Sequence, residues 1–172
     1  NRMTHNHLEQ LLAEWYEYQG YIVKRNIPVG KRSKGGYECE LDIVAFHPEK
    51  KHLIHLEPSL DADSWAVRER RFTKKFSAGQ KYIKALFPGL IVPDEIDQVA
   101  VLVFAASINH PTLGGGKVMT VDQFMEEIFA DLKDKRLESA AIPEQWPILR
   151  SFQYVNQYRS AVIKAWSTSP SG

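Results

Sequence analysis

A chain of 172 residues with 44% hydrophobic and 25% charged residues has the make-up of an ordinary globular domain, which excludes disordered and fibrous classes. At this length about 70% of the unfolded chain's surface can be buried around one core. Twenty-two basic and 21 acidic residues leave a net charge of +1, so bulk charge gives no argument for a polyanionic partner, and only local clusters can supply one.

The chain opens on Leu8, Leu11, Leu12, Trp15 and Tyr18, a 3.6-period stripe that predicts a helix over about 6–19, stopped by Gly20. Tyr21 to Val29 is rich in β-branched and aromatic residues and reads as a strand, with Pro28 marking an edge or a strand terminus. A basic, glycine-bounded turn over 30–36 then joins it to Tyr37–Phe46 as an antiparallel hairpin. In that second strand Glu38, Glu40 and Asp42 alternate with Cys39, Leu41 and Ile43, so period two puts the three acids on one face. HPEKK over 47–51 is a turn, and His52–Glu57 a third strand, expected to end at Pro58. In such a meander the far halves of the second and third strands lie side by side.

Asp63 or Ser64 can cap a long helix whose apolar face carries Trp65, Phe72, Phe76, Gly79, Ile83 and Leu86, ending at Phe87, Pro88 and Gly89. Asp97–Ala106 is a nearly unbroken apolar run, expected as a strand buried on both faces and reached through that helix. Pro111–Gly116 reads as a flexible loop, and Thr120 or Asp122 caps a further helix through Phe124, Ile128 and Leu132. An aromatic-rich helix over about 144–165 follows, then a disordered tail over 167–172. The expected organisation is one domain over 1–166, with a core over 8–106 and a C-terminal helical part over 120–166. Its order is helix, three strands, helix, strand, helix, helix.

One cysteine, Cys39, allows neither an internal disulfide nor a cysteine-based zinc site and fits a reducing compartment. No run approaches the ~20 apolar residues of a membrane span, and no secretory pattern opens the chain, so a cytoplasmic location without a membrane partner is expected. A start at Asn1 rather than Met suggests trimming or a fragment.

The chemistry concentrates in YECELDIVAFHPEKKHLIHLEPSL, residues 37–60. Carboxylates forced together on adjacent strands repel and lose hydration unless a cation or a shared proton compensates. Asp42 and Glu57 form such a pair and suit Mg²⁺ or Mn²⁺, which take oxygen ligands and leave positions open for water and a phosphate oxygen. Glu38 reads as the wet face of an edge strand. His52 and His55 point to opposite faces and make a poor zinc pair; His55 shares a face with Glu57 as a satisfied neighbour or a substrate contact. Gly114–Gly116 with Lys117 has the wrong spacing for a phosphate loop.

A helix, a Gly-Tyr lead into a strand, a Glu-x-Asp strand (Glu40, Asp42) and a strand ending in Glu57-x-Ser59, followed by a helix and another strand, resembles the restriction-endonuclease-like nuclease superfamily, named for its PD-(D/E)xK motif. The resemblance covers about residues 8–106. It implies a mixed α/β fold with a mixed sheet flanked by helices, metal-dependent phosphodiesterase activity, and DNA as the commonest substrate. It makes Asp42 the central metal ligand, Glu57 the second and the main-chain carbonyl of Pro58 the third, with Glu40 in support and Glu14 in the place of an additional acid. Ser59 departs from the pattern, which usually has a lysine there, and a serine cannot supply that charge. Some members carry the lysine on the following helix. At 100° per residue, Lys75 and Arg68 lie roughly 60–80° from the centre of the apolar face, which makes Lys75 the first replacement; Gln80 also flanks that face.

Lys24, Arg25, Lys31 and Arg32, and the RERRFTKK segment from Arg68 to Lys75, are the expected phosphate contacts, with a solvated helix face as the alternative for the second cluster. The expected partner is DNA or another nucleic acid. The aromatic C-terminal helix, with Arg150, Tyr154, Tyr158 and Arg159, could contact nucleic acid, pack into the core, or join copies of the chain in a homo-oligomer. Two rivals to the nuclease reading share the pattern: a catalytically inactive nucleic-acid-binding module of the same fold, and a structural or assembly subunit.

Overall fold

The computed structural model describes residues 6–105 and 109–168. The chain divides into two compact units, Asn1–Gln123 and Phe124–Gly172, the boundary falling close to the expected start of the C-terminal helical part.

The first unit begins with α1 (His7–Tyr18), whose orphan amide hydrogens are met by the Asn6 side chain, which accepts from the main chain of Leu8 and Glu9. Its stripe of Leu8, Leu11, Leu12 and Trp15 is buried. Three antiparallel strands follow, β1 (Ile22–Lys31), β2 (Tyr37–His47) and β3 (His52–Ser59). α2 (Trp65–Tyr82) then tightens into a 3₁₀ turn over Ile83–Leu86 and leads to β4 (Asp97–Leu102), which pairs parallel to β3. A short hairpin of β5 (Thr112–Leu113) and β6 (Gly116–Thr120) completes a six-stranded mixed sheet of order β1-β2-β3-β4-β6-β5, with β6 parallel to β4. β1, with Pro28, is an edge strand. Successive residues of β1 reach opposite sides, Lys24 over the Phe87 ring and Arg25 to Glu9 of α1, so α1 and the end of the α2 segment cover different faces. Under α2 lie two apolar groups, one of Leu41, Val44, Phe46, Leu53 and Ile83 with their neighbours, the other of Phe72, Phe76, Ala100, Leu102 and Leu113.

Several expectations are corrected. Pro58 does not end the third strand: the ladder with β2 stops at Ile43–Leu56, but pairing with β4 runs on to Ser59–Leu102. Pro58 therefore lies where one side of the strand is already open, a position proline tolerates. The loop expected at Pro111–Gly116 is the β5–β6 hairpin, turned by Gly114 and Gly115, both with positive φ (58° and 87°); two central residues with φ > 0 are what such a turn needs, and Gly-Gly supplies them. Ser64 stands at the N-cap of α2 but makes no side-chain cap, and Asp63, the other expected cap, is engaged by Arg71. β4 stops at Leu102 rather than Ala106, and Ala106 itself lies outside the described residues.

The second unit holds most of α3 (Val121–Leu132), then α4 (Leu137–Ala140), α5 (Pro147–Gln157) and α6 (Arg159–Ser167). The expected single helix over 144–165 is thus two, broken at Tyr158, after a short helix that was not expected. Phe124, Ile128, Leu132, Ile142 and Leu149 form its core. Its irregular connections are stitched by buried amides. Gln153 donates to the carbonyls of Lys135 and Ala140 and accepts from Ile142 N–H, and Asn156 donates to Leu132. Ser167 closes α6, and residues 169–172 of the expected tail lie outside the described residues. Among the described residues no helix is long and apolar enough to cross a membrane.

Candidate functional site

The register that ends the β2–β3 ladder at Ile43–Leu56 places Asp42 and Glu57 side by side one step beyond it. There Glu57 Oε1 accepts the main-chain N–H of Asp42 at 3.1 Å. On the other side of β2, the pairs Arg25–Ile43 and Ile27–Leu41 flank Asn26, which has a φ of 50° and faces Asp42. Glu9 of α1 holds this irregular step, accepting from the Asn26 amide at 2.9 Å and from Arg25 at 3.2 Å. Asp42 thus sits where the pairing is interrupted on both sides, and its carboxylate can turn to the cavity.

Lys75 closes the group from α2. Its Nζ lies 2.8 Å from Asp42 Oδ1 and 2.9 Å from Glu57 Oε2. The cavity they face, about 210 Å³, is also lined by Pro58, Ser59 and Arg71, with Asp61 and Phe72 completing its wall. Ser59 holds no charge there. Its hydroxyl donates to Asp61 Oδ1 at 3.0 Å and accepts from Arg71 Nη2 at 3.1 Å. Arg71 is in turn bound by Asp61 and Asp63, so its charge is already spoken for.

Two carboxylates therefore share one ammonium. Burial, and then the Glu57 carboxylate, push the pKa of Asp42 up to about 6 against the pull of Lys75. Burial also works against the Lys75 ammonium, but the two carboxylates together outweigh it and hold its pKa above the ordinary lysine value. The cluster is short of one positive charge. Behind it, His55 is fully buried and donates to Glu57 Oε1 over 2.7 Å; burial, and then Lys75, lower its pKa to about 3, so the imidazole is neutral.

Asp42, Glu57, Pro58 and Lys75 are brought together as the sequence suggests; other candidates are not. Glu40 is exposed on the β1–β2 ladder opposite Pro28 and does not line the cavity. Glu14 is buried in α1, beside the Gln10 amide, and does not line it either. Gln80 bonds to Gln98. Of the expected phosphate contacts, Lys24 and Arg25 diverge to opposite faces, while Lys31 and Arg32 are exposed at the hairpin end. Arg68 is a correction: it is 4% exposed and its guanidinium binds the carbonyls of Asp61 and Phe104, so it faces inward. Asp61 and Gln98 went unnoticed in the sequence, and Arg71, counted with its segment among the phosphate contacts, instead binds Asp61, Asp63 and Ser59 on the cavity wall. Gln98 carried a signal, since a glutamine in a strand buried on both faces needs a partner.

Among the described residues there is no group of three or more histidine, cysteine or acidic side chains able to hold a metal. The available donors are the oxygens of Asp42 and Glu57, with Pro58 on the cavity wall. Such a set fits Mg²⁺, which binds one or two carboxylates and keeps several waters, and it does not fit a zinc centre. Neither a protein-family model nor a curated protein matches the chain.

Proposed function

We propose that the chain carries a metal-dependent nuclease domain of the restriction-endonuclease-like (PD-(D/E)xK) kind, which hydrolyses phosphodiester bonds in DNA. The observation that carries this reading is the charge deficit of the Asp42–Glu57–Lys75 cluster in a cavity of about 210 Å³. Like charges brought together with one of them buried and the other half-buried are costly to maintain without a cation. The α2 crossover between the parallel strands β3 and β4 supports the fold assignment. Mg²⁺ or Mn²⁺ bound by Asp42 and Glu57 would polarise a phosphate oxygen and lower the pKa of the attacking water.

The chain's own part is orientation and charge. Glu57 keeps one oxygen on the Asp42 amide and His55 and presents the other to the cavity. Lys75 supplies, from α2, the positive charge that Ser59 lacks, and shifts from the carboxylates to the phosphate when substrate arrives. Lys31 and Arg32 at the hairpin end, and Arg70 and Lys74 on the exposed side of α2, contact the DNA backbone, which makes binding strongly salt-dependent.

One observation favours a second reading: Lys75 already spans both carboxylates, as a resident cation would in a module that binds nucleic acid without cutting it. Cleavage of labelled DNA in Mn²⁺ by the wild type and Asp42→Ala separates the two. The nuclease reading expects cutting by the wild type and a loss on the order of 100-fold or more in the variant, in line with the removal of a group that stabilises the transition state. Salt-sensitive binding without cutting leaves the binding module, and the absence of both cutting and binding removes both readings.

A further inference from the structure

Glu57 is held from behind by the buried His55, itself backed by the buried Gln98 amide, and the direction of these bonds can be assigned atom by atom. The amide nitrogen of Gln98, in β4, donates to the carbonyl of Phe76 at 2.9 Å and approaches His55 Nδ1 at 3.1 Å. The carbonyl oxygen of Gln98 accepts from the Gln80 amide at 2.9 Å. Turning the Gln98 amide over would set oxygen against the Phe76 carbonyl, so its nitrogen must face His55, and His55 Nδ1 must accept. The ring proton is then on Nε2, pointed at Glu57 Oε1 2.7 Å away. Space for this arrangement is made by α2: a Cβ on Gly79 would come within 2.4 Å of His55 Nδ1 and 2.8 Å of the Gln98 amide nitrogen. The Phe76 ring packs edge-on to the imidazole at 5.3 Å and closes the remaining side.

We propose that His55 is a positioning residue for Glu57: a buried imidazole, its proton fixed on Nε2 by Gln98, that locks one carboxylate oxygen in place so that only the other meets the cavity. Its consequence for metal affinity rests on the reading of Glu57 as a metal ligand; its hydrogen-bond state does not. A carboxylate free to rotate would present either oxygen to the cavity and would have to be ordered when a cation binds. One held by two donors, His55 and the Asp42 amide, is ordered beforehand. Partners of this sort, one bond behind the ligand, are typically worth about 10- to 100-fold in metal affinity.

The test uses the full chain. ¹⁵N NMR of the wild type is expected to show His55 with a protonated Nε2 and a bare, hydrogen-bonded Nδ1; a protonated Nδ1 overturns the proposal whatever the protein's activity. Mn²⁺ titration then compares the wild type with His55→Leu, which removes the donor, and His55→Gln, whose amide can replace it, each shown to be folded by its thermal transition. A loss of about 10- to 100-fold in His55→Leu, largely recovered in His55→Gln, is expected. Equal affinity in wild type and His55→Leu, or equal losses in the two variants, overturns the positioning role. If the wild type itself binds no Mn²⁺, the metal reading of the site fails and the imidazole signals alone decide this proposal.

Discussion

The two ends of β3 carry the same kinds of side chain and put them to different use. At its start, His52 Nδ1 meets the Tyr21 hydroxyl at 2.7 Å, His52 Nε2 meets Asp97 at 3.3 Å, and Lys117 closes on Asp97 at 2.9 Å. At its end stand His55, Glu57, Asp42 and Lys75. The side chains of His52 and Lys117 are 37% and 72% exposed; those of His55 and Lys75 are 0% and 22%. The start has one acid for one lysine, the end two for one. Water screens the first set and makes its contacts cheap to form and to lose. At the other end the low-dielectric surroundings turn a missing charge into a stored cost. Identical chemistry thus becomes a strand fastening in one place and a cation-seeking cluster in the other, through burial and charge count alone.

The largest test of this contrast is Lys75→Met, which keeps the apolar stem and removes the charge. Leaving the buried Glu57 and the half-buried Asp42 without their cation is expected to cost up to about 3–5 kcal/mol at neutral pH, read by chemical denaturation. The cost should shrink in mildly acidic buffer, where Asp42 takes up a proton. A loss no greater than that of the matching Lys117 substitution would erase the distinction between the two ends.

Next in size is the pH dependence set by Asp42. Its pKa is raised from 3.8 to about 6 in the folded chain, so between those values the native state binds more protons than the unfolded one. Stability therefore falls as pH rises through this window, and the penalty is complete above it. At about 1.4 kcal/mol per pKa unit the ceiling is ~3 kcal/mol. Asp42→Asn should flatten this part of the stability-pH curve and raise the melting temperature at neutral pH by several degrees. An unchanged slope in the variant would show that Asp42 does not carry the strain assigned to it.

Much of this was legible in the sequence where a residue contradicted its local pattern. Asp42 between Leu41 and Ile43 and Glu57 after a run of apolar residues pointed to the cluster, and helical geometry found Lys75 on α2. Period two, by contrast, grouped Glu40 with Asp42, although only Asp42 lines the cavity. The irregular step at Asn26, held by Glu9 from another element, is not written in β2 at all. Arg68 misled because charge suggests the surface; its burial depends on carbonyls left open by loops thirty-six residues and seven residues away in sequence. The β5–β6 hairpin was missed for a simpler reason: with two residues in β5, too little strand remains to show a period, and only the glycines marked the turn.

The smallest expected effect lies at the exposed end. Lys117→Ala removes the ammonium from Asp97, but Asp97 keeps His52 and remains in contact with solvent. Surface pairs of this kind contribute about 0.2–1 kcal/mol, and for a chain of this size each kcal/mol moves the melting temperature by roughly 2–4 °C. A shift of at most about 4 °C at low salt is therefore expected, and it should vanish near 1 M salt, where the screening length falls to about 3 Å. A salt-insensitive shift would mean that the start of β3 is as poorly hydrated as its end. The difference between the two clusters would then rest on charge count alone.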